Sequence, residues 1–471
     1  MKTLDGNSAE LEYNALAVLS ARVEGHIVVA GNTGYEEARR VWNGMIDQRP
    51  AVVAQCQGPD DMIVAVQFAR EHHLPLAVRG GGHNVAGFGT CDGGLVADLS
   101  PMRSVRVDSQ ARTVVVEGGA TMRDVDSETQ VHGLAIPGGI VSTTGIGGLT
   151  LGVGQGWLRR TFGITCDSLL SANVVTARGE LVTASETENT DLFWALRGGG
   201  GNFGVVTSFE FRAHPVGPMI AFAGPTYPLA SSSRVMAGMR DFAAEAPEEV
   251  NISATWWTIP AIPAFPEEMH GNSVITVGAT YVGPSEKGER VLRPLREIED
   301  PVLDLSSMLP YASLQQMFDP FFPAGELQYY WKSIYLADLE DAAVSTVAKY
   351  ISDRPSPLSM AAIWVLGGAL GRVEAGATAA SARNAPFLLE ILANWADPVD
   401  AEINTVWVRE FLDTMAPFAT GKTNLNFPGH GNEPGFVRSA LADNWDRLVE
   451  VKRRYDPINL FRLNQNIDPN G

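Results

Sequence analysis

Residues 75–84 place three glycines and one histidine directly after a short apolar stretch. The segment reads Pro75-Leu-Ala-Val-Arg-Gly-Gly-Gly-His-Asn84. Glycines let backbone N–H groups approach an anion closely, and successive amides form a concave site for phosphate oxygens. Because His83 follows at once, the segment can hold a phosphate and a reactive ring together. For one such motif alone, a glycine-rich turn with a surface histidine is an equally good interpretation.

Three further glycine-rich segments lie downstream, which concentrates sites of close backbone approach in one region. They are Thr143–Gly148, Gly152–Gly156 and Arg197–Thr207. Within the last, Gly199–Gly204 satisfies the GxGxxG pattern of dinucleotide-binding βαβ units. That pattern has to follow a strand and open a helix. Here a helix-like segment, Asp191–Leu196, precedes it and a strand-like segment, Val205–Phe211, follows, which disfavours the dinucleotide-binding interpretation.

The elements that must position these residues mix helices and strands. Ala51–Gln55 and Pro75–Val78 have the apolar runs of strands, and Asp60–His73 between them has helical periodicity. This βαβ-like unit ends at the glycines, so we expect His83 on a loop that leaves a sheet edge. Further strands are predicted at Gly94–Leu99, Val105–Val107 and Thr113–Glu117.

Between about residues 215 and 409 the glycine segments mostly stop and alternating apolar strands take their place. Ser273–Tyr281 and Leu327–Tyr335 show this alternation. The proline-containing stretches 215–228 and 260–266 are predicted to be connections or sheet edges, because proline cannot donate a ladder hydrogen bond. The middle of the chain is therefore predicted to form a second domain.

Composition and charge limit the class of protein. The 471 residues are enough for two domains, with 45% hydrophobic and 19% charged residues. The formal net charge of −19 opposes binding to nucleic acids or anionic membranes, which require a concentrated Lys/Arg surface. Cys56, Cys91 and Cys166 are too few for a disulfide framework, and no cysteine or histidine spacing indicates a metal. Without a secretory h-region or a bilayer-length apolar run, we expect a cytoplasmic protein that binds no metal, nucleic acid or membrane.

Together these segments resemble the FAD-linked oxidases of the vanillyl-alcohol oxidase (VAO, PCMH-type) superfamily, in particular its berberine-bridge-enzyme-like group. The resemblance runs through Phe211 and returns at Tyr455–Ile467, which is similar to the C-terminal signature of the group. It implies an α+β, two-domain PCMH/VAO-type FAD-binding fold. The expected parts are an FAD-binding domain at 1–213, an antiparallel-sheet substrate domain at 214–420, and a C-terminal segment at 421–471 that completes the FAD domain.

The same resemblance implies FAD that is covalently attached through one histidine, His83. The residues expected to contact FAD are Arg79, Gly80, Gly81, Gly82, His83, Asn84, Ser142, Thr143, Thr144, Gly145, Gly148, Val206, Asn464 and Asn466. Many relatives carry a second tether, a cysteine about five residues before the motif that here begins at Gly145. This chain has Val141 and Ser142 in that place, and Cys166 is interpreted as a buried packing thiol. We therefore expect a single covalent bond.

A base is the remaining requirement, because oxidation of an alcohol or amine removes a proton together with a hydride. Relatives often show Tyr-x-Asn-Phe ahead of the C-terminal signature, whereas this chain has Asn424 at the tyrosine position. The candidate catalytic residues are Asn426, Tyr330 and His430. Core packing is the alternative for Tyr330, and a surface loop is the alternative for His430.

The expected activity is FAD-dependent oxidation of a small organic alcohol, amine or natural-product intermediate, with dioxygen as acceptor and hydrogen peroxide as product. Three alternatives stay open at this point. They are a monooxygenase-like tailoring enzyme of secondary metabolism, a dehydrogenase with another acceptor, and a flavin-binding protein without turnover. The expected partners are a small-molecule substrate and dioxygen, and the expected assembly is a monomer or a homodimer.

Overall fold

The structure is a computed structural model that describes residues 3–4, 13–429 and 435–471. Its strands are β1 (His26–Val29), β2 (Val52–Gln55), β3 (Leu76–Arg79), β4 (Leu95–Asp98), β5 (Val105–Asp108), β6 (Thr113–Glu117), β7 (Leu134–Ala135), β8 (Leu169–Val175), β9 (Leu181–Ser185), β10 (Val205–Arg212), β11 (His214–Pro215), β12 (Met219–Ala223), β13 (Pro225–Pro228), β14 (Val250–Thr258), β15 (Ser273–Tyr281), β16 (Leu303–Asp304), β17 (Ser307–Pro310), β18 (Gln328–Leu336), β19 (Met360–Val365) and β20 (Phe387–Trp395).

The α-helices of the described residues lie between these strands and after them. They are α1 (Tyr13–Arg22), α2 (Tyr35–Ala38), α3 (Pro59–Glu71), α4 (Met122–Gln130), α5 (Ile146–Leu151), α6 (Arg159–Phe162), α7 (Thr190–Leu196), α8 (Ser232–Glu245), α9 (Ser285–Arg296), α10 (Tyr311–Leu314), α11 (Asp341–Ser352), α12 (Ala369–Arg372), α13 (Ala401–Met415), α14 (Phe436–Leu441) and α15 (Trp445–Tyr455).

The N-terminal half contains a four-stranded and a five-stranded sheet. In the first, of order β1-β2-β4-β3, β4 lies between β2 and β3 and is parallel to both, while β1 is antiparallel to β2. Helix α3 crosses from β2 towards β3, as the periodicity predicted, and buries Met62, Val66 and Phe68 among the strands. The loop that carries His83 therefore leaves the end of β3. The second sheet, of order β5-β6-β10-β8-β9, is antiparallel.

The GxGxxG segment has the order of elements that the sequence indicated. Helix α7 precedes it and strand β10 follows it. A dinucleotide-binding βαβ unit needs the reverse order, with a strand before the glycines and a helix after them. The glycines here connect a helix to the central strand of the five-stranded sheet.

The middle of the chain forms an antiparallel nine-stranded sheet of order β16-β13-β15-β14-β19-β20-β18, with β12 and β17 joined to it through β15. Helices α8, α9, α11 and α13 contribute Met239, Leu295, Val347 and Phe411 to the main core against one face of this sheet. The prediction for residues 215–228 was partly wrong, because β12 lies inside the sheet with β15 and β17 as partners. The prolines stand at the ends of these short strands, where they interrupt no ladder.

Side chains of β18 alternate between the two faces of the nine-stranded sheet, as in any strand. Tyr330 and Ile334 pack into the helix-covered core, whereas Tyr329 and Trp331 point to the opposite face. All nine residues of the strand are buried, so both faces are covered. The second face looks towards the glycine segments of the N-terminal half.

The C-terminal segment returns to the N-terminal half, where a fully buried ion pair fixes it. Lys452 Nζ lies 2.7 Å from Asp456 Oδ2 and also donates hydrogen bonds to the carbonyls of Asn202 and Phe461. The Asn202 side chain in turn donates to the Gln465 carbonyl at 3.0 Å. Breaking a buried pair of this kind leaves an uncompensated charge, which typically costs about 3–5 kcal/mol. The three predicted domain boundaries themselves stay predictions.

Candidate active site

A cavity of about 290 Å³ lies between the glycine segments and the nine-stranded sheet. One side, the glycine wall, consists mainly of backbone: Gly80, Gly81, Gly82, Gly118, Gly145, Gly147, Gly148, Gly200, Gly201 and Gly204. The other side, the sheet wall, consists of side chains from β18, β19 and β20: Trp331, Trp364, Glu390 and Leu392. Phe322 and Phe427 add aromatic surface to the cavity. The two walls therefore differ in kind, with backbone groups on one side and large side chains on the other.

The glycine wall depends on direct contact between two loops. A Cβ atom on Gly145 would lie 2.4 Å from the backbone nitrogen of Gly81, and a Cβ on Gly81 would lie 2.6 Å from the Cα of Gly145. Real Cβ atoms do not approach backbone this closely, so both positions require glycine. Because no side chain separates the loops, the wall exposes backbone amides, which suit an anionic ligand.

His83 lies in this cavity, and its ring is held by stacking. The imidazole stacks on Trp42 with 4.1 Å between ring centroids, and the other face of Trp42 stacks on Tyr329 at 3.8 Å. Burial lowers the pKa of His83 to about 4, although the charge of Asp319 acts in the opposite direction. The imidazole is therefore neutral at pH 7. Its Nε2 atom is buried and has no hydrogen-bond partner among the described residues.

Glu390 is the carboxylate of the sheet wall. The register places Ser333 of β18 and Ala362 of β19 directly beside it, and both side chains are small. Burial raises the pKa of Glu390 to about 7, while the Trp364 indole and the Arg159 guanidinium act to lower it. The Arg159 guanidinium lies over the Trp364 ring, 4.6 Å from its centroid. Such a carboxyl can accept and release a proton near neutral pH.

Three amide side chains complete the cavity. Asn426 donates from Nδ2 to the Gly152 carbonyl at 2.9 Å, and its backbone N–H donates to Asn424 Oδ1 at 3.0 Å. Gln155 donates from Nε2 to the Tyr335 hydroxyl at 3.4 Å, and its Oε1 atom has no partner within the described structure. All three amides line the cavity. They can orient a polar group of a bound molecule.

Comparison with known proteins identifies the family. A family model for the FAD binding domain matches residues 50–185, and one for berberine and berberine-like proteins matches residues 424–468. Over 458 residues the chain is 32% identical to the uncharacterized FAD-linked oxidoreductase YgaK of Bacillus subtilis (strain 168), covering 95% of this chain and 98% of that protein. The chain belongs to the berberine-like family of FAD-linked oxidoreductases.

A further relative and a solved structure agree with this assignment. The chain is 29% identical to (R)-6-hydroxynicotine oxidase of Paenarthrobacter nicotinovorans, covering 95% of this chain and 98% of that protein. The crystal structure of 6-hydroxy-D-nicotine oxidase from Arthrobacter nicotinovorans superposes with a TM-score of 0.84 at 26% identity, over 95% of this chain and 98% of that chain. The α+β fold expected of the superfamily is thereby confirmed, and the protein is an enzyme of the FAD-linked oxidoreductase class.

The residues present fit the cofactor of this berberine-like enzyme. The glycine wall offers backbone amides to a pyrophosphate, and the one Lys or Arg of the described lining, Arg79, is paired with Asp98. His83 Nε2 and Asn464 Oδ1 are buried polar atoms without partners among the described residues, and both residues line the cavity. Such atoms are costly in a folded protein unless a ligand or water satisfies them.

Most of the predicted cofactor residues line this cavity. They are Arg79, Gly80, Gly81, Gly82, His83, Asn84, Thr144, Gly145, Gly148, Val206 and Asn464. For Arg79 only the backbone is available, because its guanidinium forms an ion pair with Asp98 at 2.6 Å and donates to the Ala38 carbonyl. Arg79 thus supports the loop from behind.

Three predicted cofactor residues lie outside the lining: Ser142, Thr143 and Asn466. Ser142 is fully buried, and its backbone N–H and hydroxyl both bind the carboxylate of Asp319. The neighbouring residues Val141 and Thr144 form the cavity surface of this turn instead. Cys166 also lies outside the lining, and burial raises the pKa of its thiol. The position of Cys166 outside the lining and the raised pKa of its thiol are compatible with the expected single covalent bond through His83.

The three predicted catalytic residues also differ in whether they line the cavity. Asn426 lines the cavity. Tyr330 does not, because the alternation of β18 directs it into the helix-covered core, where its hydroxyl accepts a hydrogen bond from Arg409. His430 lies outside the described residues. Glu390 was missed, although a single carboxylate inside the apolar sequence of β20 is a signal that could have identified it.

Two negative findings apply to the described residues only. No helix among residues 13–429 and 435–471 is long and apolar enough to cross a membrane. Over the same ranges, no cluster of three or more His, Cys, Asp or Glu side chains could hold a metal ion.

Proposed function

We propose that this enzyme oxidises a small organic alcohol, amine or natural-product intermediate, with FAD bonded to His83 and with dioxygen as the electron acceptor, so that hydrogen peroxide forms. One observation carries the proposal. The neutral, partnerless ring nitrogen of His83 and the weakly acidic carboxyl of Glu390 line one cavity of an FAD-linked oxidoreductase. A nucleophile for attachment of the cofactor and a base for the substrate are therefore available in the same site.

Glu390 is proposed to accept the proton that the donor hydroxyl or amine loses. Its pKa of about 7 balances the availability of the ionised form against basicity near neutral pH. FAD, when bound, supplies the acceptor for the hydride. Trp331 and Trp364 would hold the apolar part of the donor and exclude water, and Asn426 would orient its polar group.

The lining favours a compact donor with a flat apolar surface. Trp331 stacks with Phe427 at 5.8 Å between centroids, and Phe322 meets Trp331 edge-on at 5.4 Å. Among the relatives, one is named for 6-hydroxynicotine and another for xylooligosaccharides. The aromatic wall can stack on the flat face of a ring compound of the first kind. An anionic donor is disfavoured, because it would place a second negative charge beside Glu390.

His83 is proposed to hold the cofactor through a single bond. A neutral imidazole has a lone pair free to form that bond, which a protonated ring lacks. Val141 stands where relatives with two tethers place cysteine, and it cannot form a second bond. A role in secondary metabolism, a cytoplasmic location and a monomeric or homodimeric assembly remain parts of the proposal.

The first experiment is peptide mass spectrometry of denatured, purified protein. We expect one FAD on the peptide that contains His83 and unmodified peptides that contain Cys166. Loss of all flavin on denaturation would contradict the covalent link.

A second experiment tests the reaction. Anaerobic mixing with a panel of amines, phenols, alcohols and sugars should bleach the flavin absorbance with at least one compact donor, and admission of air should restore it with formation of hydrogen peroxide. Labelled oxygen in the product would instead support the monooxygenase alternative. Reduced protein that persists in air but reacts with artificial acceptors would support the dehydrogenase alternative.

A further inference from the structure

Asp319 links the middle segment of the chain to the turn beside His83. It lies in the connection between β17 and β18, and its Oδ1 accepts a hydrogen bond from the Ser142 backbone N–H at 2.8 Å. Its Oδ2 accepts from the Ser142 hydroxyl at 2.5 Å and from Arg123 Nη2 at 3.0 Å. Arg123 Nε also donates to the Ser142 hydroxyl, at 3.1 Å. Both oxygens of one carboxylate therefore fix a turn whose neighbours form the cavity surface.

The same short segment also holds the stacking partner of His83. The Phe322 carbonyl, three residues after Asp319, accepts a hydrogen bond from Trp42 Nε1 at 3.1 Å. Trp42 lies flat against the imidazole, with 18° between the ring planes. Residues 319–322 thus contact both structures that surround the histidine.

The charge of Asp319 reaches His83 itself. Among the charged side chains that act on His83, Asp319 is the one that favours the protonated form, against the effect of burial. When a neutral imidazole forms a new N–C bond, the ring becomes positively charged until it releases its N–H proton. A buried ring opposes that charge, and a fixed carboxylate nearby stabilises it.

We propose that Asp319 is a positioning residue for the attachment of the cofactor to His83: it fixes the turn at Ser142 and stabilises the charge that the imidazole gains while it bonds to the flavin. This inference rests on the covalent link proposed above. In the net reaction, one hydrogen is lost from the imidazole nitrogen and one from the 8α-methyl group of the flavin, and an N–C bond joins the two atoms. The two protons and two electrons released pass to dioxygen, which becomes hydrogen peroxide.

Asp319→Asn is the informative substitution, because the amide retains the shape, removes the charge and keeps one oxygen that can accept from the Ser142 backbone N–H. Asp304→Asn is a matched control. Asp304 also lies in the middle segment, accepts from Arg296 Nε at 2.7 Å and from the Ser306 backbone N–H at 2.9 Å, and is not part of the cavity lining. Asp319→Glu keeps the charge on a longer side chain, so it tests the charge separately from the short contact with Ser142.

Three quantities are measured for each purified full-length variant: total FAD in the native protein, the fraction of FAD that stays with the protein after acid precipitation, and the thermal midpoint. For Asp319→Asn we expect the acid-stable fraction to fall at least fivefold while total FAD and the thermal midpoint stay close to those of Asp304→Asn. For Asp319→Glu we expect at least half of the wild-type fraction.

An acid-stable fraction in Asp319→Asn equal to that of the wild type would overturn the proposal. So would a parallel loss of total FAD and thermal stability, which would make Asp319 a general structural contact, or an Asp319→Glu variant as deficient as Asp319→Asn. Wild-type protein without acid-stable FAD would refute the covalent link itself. The failure of the proposed function is therefore distinguishable from the failure of this inference.

Discussion

The two walls of the cavity are built by different means. The glycine wall presents backbone atoms of loops, and its geometry depends on positions such as Gly81 and Gly145, where any side chain would collide with backbone. The sheet wall presents side chains of a rigid antiparallel sheet, and Glu390 and Trp364 come together there only through the pairing of β19 with β20. The first wall offers backbone amides that suit FAD, and the second offers side chains that suit a substrate. Two relatives are named for different substrates, 6-hydroxynicotine and xylooligosaccharides.

From this difference we expect the glycine wall to bind the cofactor and the sheet wall to determine the chemistry of the substrate. The shape of a backbone surface changes little when side chains are replaced, so such a surface keeps its preference for one ligand. A side-chain surface on a fixed sheet can change its specificity by single substitutions without disturbing the fold. Variants in the two walls are therefore expected to have different effects.

The largest effect is expected at His83, whose ring stacks on Trp42, which in turn stacks on Tyr329 of β18. His83→Ala should abolish acid-stable FAD completely, because the described residues that line the cavity include no other histidine and no cysteine or tyrosine. His132→Ala, at an exposed histidine, is the control and should leave it unchanged. Acid precipitation followed by absorbance of the pellet measures the difference. Acid-stable FAD in His83→Ala would show that another residue forms the bond.

The next largest effect is expected at the sheet wall. Glu390→Gln should slow the reduction of the flavin by a donor by roughly 10²–10⁴-fold, the usual contribution of a general base. Tyr330→Phe, in the same sheet but on its opposite face, should change the rate less than about threefold. Stopped-flow absorbance under anaerobic conditions measures both. A larger effect of Tyr330→Phe would reverse the assignment of the two faces.

The same carboxyl should also affect stability in a pH-dependent way. Its pKa is raised from 4.5 to about 7 by burial, so the folded protein carries no penalty below pH 4.5, an increasing one up to pH 7, and the full penalty above. Glu390→Gln should therefore be more stable than the wild type at pH 8 by about 3 kcal/mol, roughly a hundredfold in the folding equilibrium, and similar at pH 4.5. Denaturant unfolding at pH 4.5 and at pH 8 measures the difference in stability between the variant and the wild type. A difference in stability that does not depend on pH would contradict the prediction.

The smallest effect is expected from the glycine wall, where two glycines can be compared. A Cβ on Gly148 meets no protein atom within 4 Å, yet the residue lines the cavity. Gly148→Ala should leave the thermal midpoint of flavin-free protein unchanged and lower the FAD content about tenfold. Gly145→Ala should lower both, because its Cβ collides with Gly81. If Gly148→Ala kept its full FAD content, the cofactor would not lie against this part of the wall.

Sequence information predicted the glycine wall well and the sheet wall poorly, for a physical reason. Each glycine segment, like the C-terminal signature, occupies a few consecutive positions. The residue types at those positions are therefore enough to predict the segment. Glu390 and Trp364 are 26 residues apart in the chain and become neighbours only through strand register. Tyr330 lies in an aromatic strand in which all nine residues are buried, so exposure to solvent does not distinguish the two faces of the strand.

The turn at Ser142 shows a related limit. Its position three residues before Gly145 predicts a contact with the cofactor, but its backbone N–H and hydroxyl donate to Asp319, which lies 177 residues away. A partner so distant leaves no local pattern. The alternation of Ser273–Tyr281, by contrast, predicted β15 to the residue.

The position of Asn464 and Gln465 in the cavity lining has a consequence for biosynthesis. The C-terminal segment that carries them becomes anchored only when Lys452, Asp456 and Asn202 are all present. On the ribosome, Gly204 of the glycine wall emerges 260 residues before Asn464, which lines the same cavity. The cavity is therefore complete only after these two distant segments have both been synthesised and have come together.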